Sequence, residues 1–143
     1  MSSQLPLWGI AYVSTAIAGV HREDLEFLLI EGRRLNHKND ITGVLLYSSG
    51  NFMQYFEGPK DAALSTFDRI CASRRHYGII ELLNEPVSSR SFSGWDMGLV
   101  EASDSELLKV STANWTRQLQ APCGPSSDGL VLLKQFWSDN ATG

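Results

Sequence analysis

Cysteine is scarce in this chain. Cys71 and Cys123 are the two cysteines among 143 residues, 52 positions apart. That supplies neither a disulfide framework nor a CxxC redox motif, so two reduced thiols of a cytoplasmic protein are expected. Histidine is as sparse: His21, His37 and His76 fall at no HxxxH or HExxH spacing, which excludes a recognisable metal motif. No apolar run approaches the ~20 residues of a membrane helix. Residues 43–47 and 27–30 are among the longest such runs. No basic segment followed by an apolar stretch opens the chain, so no signal peptide is expected. Basic charge is short too. Twelve Lys and Arg against 16 Asp and Glu leave a net charge of −4, the wrong sign for a domain that tracks a phosphate backbone. Walker A, GxGxxG, nucleophile-elbow and Cys-His signatures are all missing.

What is present is ordinary globular composition, 43% hydrophobic and 20% charged, at a length suited to one domain. Residues 8–14 read as a strand, with Trp8, Ile10, Tyr12 and Ser14 on one parity and Gly9, Ala11 and Val13 on the other. Residues 21–36 read as a helix. Leu25, Leu28, Leu29, Gly32 and Leu35 fall at helical spacing, acids lie in the first turn, and Arg33 and Arg34 lie near the end. Residues 41–47 and 52–57 flank Ser48-Ser49-Gly50-Asn51 and predict a β-hairpin. Gly58-Pro59 ends the second strand and leads into a helix to about residue 73. Ala63, Leu64, Phe67, Ile70 and Cys71 are expected on its inner side. Strands follow at 79–83 and 97–100.

The order is β-α-β-β-α-β plus a fifth strand, an α+β ferredoxin-like arrangement with two helices on one sheet face. Beyond it, Ser103-Asp104-Ser105-Glu106 offers a capping box. Leu108, Trp115 and Leu119 recur at helical spacing, residues 121–129 break the helix, and Leu130, Leu133 and Trp137 begin another amphipathic stretch. These C-terminal helices are expected to cap the other sheet face, the alternative being a partner surface. Residues 1–102 then form the core and residues 103–143 a helical cap or output segment.

Few residues suggest chemistry. Gln54 shares the face of Phe52 and Phe56, where an unpaired amide would cost about 1–3 kcal/mol. Tyr12 sits mid-strand. Spacing alone allows a core tyrosine with a satisfied amide, or a pair facing a polar ligand. Asn36 and Asn39-Asp40-Ile41-Thr42-Gly43 read as a helix stop leading into a strand. Arg69, Arg74, Arg75 and His76 are either a solvated helix end or a basic lip for phosphate or ribose.

Together these residues carry a resemblance. Tyr12, Asn36 with Ile41-Thr42-Gly43, Phe52-Met53-Gln54-Tyr55-Phe56-Glu57-Gly58, Arg74-Arg75-His76-Tyr77 and Phe92-Ser93-Gly94-Trp95-Asp96-Met97 occur in order. Over about residues 8–102 the chain resembles the BLUF family, blue-light sensors using FAD. The resemblance implies FAD bound noncovalently between the two helices, with FMN or riboflavin as substitutes. It implies Tyr12 as donor of an electron and proton, Gln54 as the bridge from Tyr12 to the flavin, and Asn36 at the flavin's carbonyl edge. Leu28 and Ile70 would clamp the ring, and Arg69, Arg75 and His76 would line the ring or the ribityl-phosphate arm. Trp95 and Met97 would be switch residues, with Ser14 near that tryptophan. Leu35 and Asp96 depart from the usual pattern, where polar and Ser residues respectively are common.

The expected function is a short, stand-alone, non-enzymatic blue-light receptor in the cytoplasm. It would signal to an unknown protein partner or within a homo-oligomer, without nucleic acid or membrane. One alternative is a photosensory domain cut from a longer nucleotide cyclase or phosphodiesterase. Another, a ligand-binding module without photochemistry, sits poorly with the presence of both Tyr12 and Gln54.

Overall fold

The computed structural model describes residues 7–16, 22–48, 50–72, 76–95, 97–113 and 128–140. The elements are β1 (Leu7–Ala16), α1 (Arg22–Asn39), β2 (Thr42–Ser48), β3 (Asn51–Pro59), α2 (Lys60–Cys71), β4 (His76–Val87), β5 (Gly98–Glu101), α3 (Asp104–Ser111) and α4 (Asp128–Asn140). The strands form one sheet in the order β4-β1-β3-β2-β5. The first four pair antiparallel, and β5 joins β2 in parallel. This is the expected ferredoxin-like α+β fold with a fifth strand.

Alternation along the central strands divides the core into two layers. On one face Ile10, Tyr12, Phe56 and the neighbouring Ile41 pack with Ala63, Leu64, Phe67 and Ile70, the α2 side chains at helical spacing. On the other face Ala11, Val44, Leu46, Met53 and Tyr55 meet Leu107 and Val110 of α3 and Leu133, Phe136 and Trp137 of α4. The C-terminal helices thus cap the face opposite α2. Cys71, expected on the inner side of α2, is exposed at the helix's last residue, while Thr66 is buried.

Element ends differ from the sequence reading for local reasons. α1 runs three residues past Asn36 before it stops. Asp40 adopts φ 60°, the Ile41 N–H donates to the Asn36 carbonyl at 2.8 Å and the Asp40 N–H to that of His37 at 3.3 Å. Those two bonds are a Schellman ending, here with Asp where Gly is usual. β4 reaches Val87 through Pro86, which an edge strand tolerates. Pro59 closes β3 and stands at the N-cap of α2, just outside the first turn. The capping box at α3 forms as the sequence predicts: Ser103 accepts from the Glu106 N–H at 3.1 Å, and the Ser103 N–H donates to Glu106 at 3.0 Å. α3 ends at Ser111 and Leu108 is exposed. Trp115, Leu119 and Cys123 lie outside the described residues.

Gly43 sits where β2 crosses closest to β3. A Cβ there would come within 2.1 Å of the Tyr55 carbonyl oxygen and 2.7 Å of the Phe56 Cα, neither of which can swing aside. Gly43→Ala is therefore expected to lower unfolding stability by about 2 kcal/mol or more, measured by urea denaturation. An unchanged urea midpoint would contradict this close approach.

Candidate functional site

The register of β1 on β3 places Tyr12 opposite Gln54, with both side chains on the α2 face. Both are buried. The Tyr12 hydroxyl donates to Oε1 of Gln54. The other end of the amide, Nε2, donates to the sulfur of Met97 at 3.4 Å. A thioether is a weak acceptor, so the donor end of this buried amide meets a poor partner. Phe67 of α2 flanks the Tyr12 ring with centroids 5.8 Å apart. Burial first, and the neighbouring Cys71 thiol second, push the Tyr12 phenol well above the usual tyrosine range.

The remaining sequence candidates are distributed unevenly. Asn36, in the last turn of α1, is buried. Ile70 packs into the apolar layer under α2, whereas Arg69 is exposed in that helix's last turn. Ser14 is buried, shares the parity of Tyr12 and pairs in register with Phe52. Arg75 lies outside the described residues, as do the side chains of Leu28 and His76.

Met97 and Trp95 take different sides. Met97 is buried against Gln54. Trp95 is 41% exposed, and its indole meets the ring of Trp137 edge-on at 5.0 Å. Trp137 also lies where a Cβ on Gly98 would be, 2.2 Å from its ring. Trp95, Met97 and Gly98 between them therefore touch both the Gln54 side of the sheet and α4. Bonds to their carbonyls help hold them: the Gly43 N–H donates to the Trp95 carbonyl at 2.8 Å, and Arg33 Nε donates to the Met97 carbonyl at 2.9 Å.

Sequence reasoning did not single out Arg33, Arg90 or the Glu57 side chain. Glu57 is fully buried on the α3/α4 face and accepts from Tyr55, Thr42 and the amides of Ser91 and Phe92. Its parity with Met53 and Tyr55 was the available signal, an acid on an apolar face of a central strand.

Comparison with known proteins agrees with this geometry. A family model described as BLUF, sensors of blue-light using FAD, matches residues 7–98. The chain is 37% identical over 76 residues to the blue light- and temperature-regulated antirepressor BluF of Escherichia coli, covering 53% of this chain and 19% of that protein. It is 34% identical over 83 residues to the photoactivated adenylate cyclase subunit beta of Euglena longa, covering 58% of this chain and 10% of that protein. It thus spans less than a fifth of the length of these curated relatives. Among solved structures, the dark state of BlrB, a BLUF protein, superposes with a TM-score of 0.72 at 28% identity, over 94% of this chain and 96% of that one.

The residues present fit FAD. A flat ring with a polar edge calls for amides at the edge and aliphatic side chains on its faces. Gln54 and Asn36 are buried amides, and among the described residues Gln54 Nε2 meets the weak acceptor of the Met97 sulfur. Ile70 supplies apolar surface under α2.

The buried phenol gives a pH dependence. Tyr12 and Tyr55 are both pushed up, Tyr55 by burial and by Glu57. Above about pH 10 the unfolded chain releases these protons while the folded chain keeps them. Stability is therefore full below that pH and falls as pH rises. Tyr12→Phe is expected to make the fall shallower by up to about 1.4 kcal/mol per pH unit, read from urea midpoints between about pH 9 and 11. An identical slope would place the phenol in water.

Proposed function

The chain belongs to the BLUF family of sensors of blue light using FAD, and we propose that Tyr12, Gln54 and Met97 are its switch and that the signal leaves as a change of protein contacts. The carrying observation is one buried line of atoms: the Tyr12 hydroxyl on Gln54 Oε1, and Gln54 Nε2 on the Met97 sulfur. FAD, bound noncovalently, supplies blue-light absorption and, once excited, an acceptor for one electron.

In this reading Tyr12 is the source of the electron and of the proton that follows it. Its raised phenol keeps that proton at neutral pH, so release is tied to oxidation of the ring. Gln54 receives the change because its planar end carries a donor and an acceptor. Rotation or tautomerisation exchanges them. After rotation Nε2 faces the Tyr12 oxygen and Oε1 faces the Met97 sulfur, with no proton between oxygen and sulfur. The Met97 side chain then loses its bond to the amide, and its main chain stays held by Arg33. The electron and the proton would return from FAD to Tyr12 and no covalent bond forms, so the arrangement reverts in the dark.

Asn36 would hold the ring's carbonyl edge, Leu28 and Ile70 its faces, and Arg69, Arg75 and His76 its surroundings or the phosphate arm. Trp95 and Ser14 complete the proposed set. The contact of Trp137 with Trp95 and Gly98 supports residues 103–143 as the output segment and residues 1–102 as the sensory core. We read the chain as a sensor without enzymatic activity, in the cytoplasm, acting on a protein partner or within a homo-oligomer. No described helix is long and apolar enough to cross a membrane. The match to photoactivated adenylate cyclases favours a second reading, a light-sensing domain of a longer cyclase or phosphodiesterase.

The purified protein loaded with FAD is expected to be yellow and to show a small red shift of its flavin bands under blue light, reversing in the dark. Tyr12→Phe and Gln54→Ala should each keep the flavin and lose the shift. A colourless protein that FAD cannot reconstitute would overturn the sensory reading. A normal photocycle in either variant would overturn the residue roles.

A further inference from the structure

Glu57 stands three residues from Gln54 on β3 and therefore on the opposite face. Its carboxylate is fully buried, which is costly unless every lone pair finds a donor. Here the donors are the Ser91 N–H at 2.9 Å, the Phe92 N–H at 2.7 Å, the Tyr55 hydroxyl at 2.9 Å and the Thr42 hydroxyl at 3.3 Å. Arg90 braces the same point. Its Nη1 donates to Thr42 Oγ1 at 2.9 Å and to the Glu57 carbonyl at 3.4 Å. Its Nη2 donates to the Asp40 carbonyl at 2.9 Å and lies 3.0 Å from the Asp40 carboxylate. One clamp thus ties β3, β2 and the turn ending α1 to the start of the segment that carries Met97.

We propose that Glu57 and Arg90 are positioning residues of the switch, holding segment 90–97 so that Met97 stands at the Gln54 amide and thereby setting the rate of return in the dark. This rests on the switching role given to Gln54. Ser91 and Phe92 lie in no strand, and their amides are held by the Glu57 carboxylate and not by a neighbouring strand. Four residues separate Phe92 from Met97, with Trp95 among them held by Gly43, so slack at the clamp loosens the stretch that leads to the sulfur. The same strand grips the segment from both faces, through Glu57 at one end and Gln54 at the other. When the Gln54 amide turns over, the Met97 side chain is released, while the main chain stays held at Ser91 and Phe92 by Glu57, at Trp95 by Gly43 and at Met97 by Arg33. The anchored main chain then draws the Met97 side chain back. A looser clamp leaves Met97 displaced at less cost, so the light-altered arrangement lasts longer.

Glu57→Gln tests this, because the amide places a donor against Ser91, Phe92 or their hydroxyl neighbours, and at least one main-chain bond is lost. Arg90→Lys is the milder second variant, and Leu83→Ala, on the far-edge strand β4, is a destabilised control. Two readouts are followed: dark-recovery rate with FAD, and the Met97 methyl signal by NMR with and without FAD. With three methionines in the chain, that signal is assigned by Met97→Leu. Glu57→Gln should slow recovery on the order of fivefold, the equivalent of one hydrogen bond. It should also shift or broaden the Met97 methyl in both forms. Arg90→Lys should do the same to a smaller extent, and carries the test if Glu57→Gln does not fold. Leu83→Ala should match wild type in both readouts. Unchanged or faster recovery with an unmoved methyl signal overturns the proposal, as does a Leu83→Ala variant that reproduces the effect. If wild type itself shows no light-induced shift, the switching role fails, and the methyl signal of the FAD-free protein still decides whether the clamp positions Met97.

Discussion

The register of β1 against β3 is the constraint from which the rest of the site follows. With Tyr12 opposite Gln54, phenol and amide meet on the α2 face, and Ala11 and Tyr55 meet on the other. A slip of β3 by one residue would turn Gln54 into the layer under α3 and α4, away from Tyr12, and bring Tyr55 and Glu57 out beneath α2. Apolar residues on both faces of these strands resist that slip, because it would exchange two differently shaped cores at once. The register is held by the whole sheet, and a pair of side chains is its beneficiary.

A strand buried on both faces can carry a message between them. Gln54 addresses one layer and Glu57 the other, on a single rigid backbone. The residues that follow Arg90 touch both: the Ser91 and Phe92 amides sit on Glu57, Met97 on Gln54, and Trp95 and Gly98 on Trp137. Close-packed contacts of this kind shift between discrete arrangements and do not deform smoothly. A small rearrangement of one amide therefore has a short mechanical route to the C-terminal helices.

Much of this was readable from residue order. Strand parities, the hairpin, both helices under the sheet and the capping box at Ser103 all rest on local rules, and the fold repeats them. The ends of α1 and β4 were less legible, since Asp40 stands where such helix endings usually have glycine and Pro86 falls on an edge strand. Glu57 and Arg90 were missed for another reason. Each acts on main-chain groups far along the chain, at residues 91, 92 and 40, and no spacing rule reports such a partner.

Sequence alone determined which chemistry was on offer: a tyrosine and a glutamine on apolar strands, a helix-ending asparagine, and a Trp-x-Met segment in a recognisable order. It did so because residue type and alternation are local properties. The tertiary structure alone decided that Met97 and not Trp95 faces Gln54, and that Trp95 turns to Trp137. Those choices depend on where an irregular segment is pinned. The pins are a buried carboxylate, a guanidinium and an indole, brought together from distant parts of the chain by the pairing of β1 with β3.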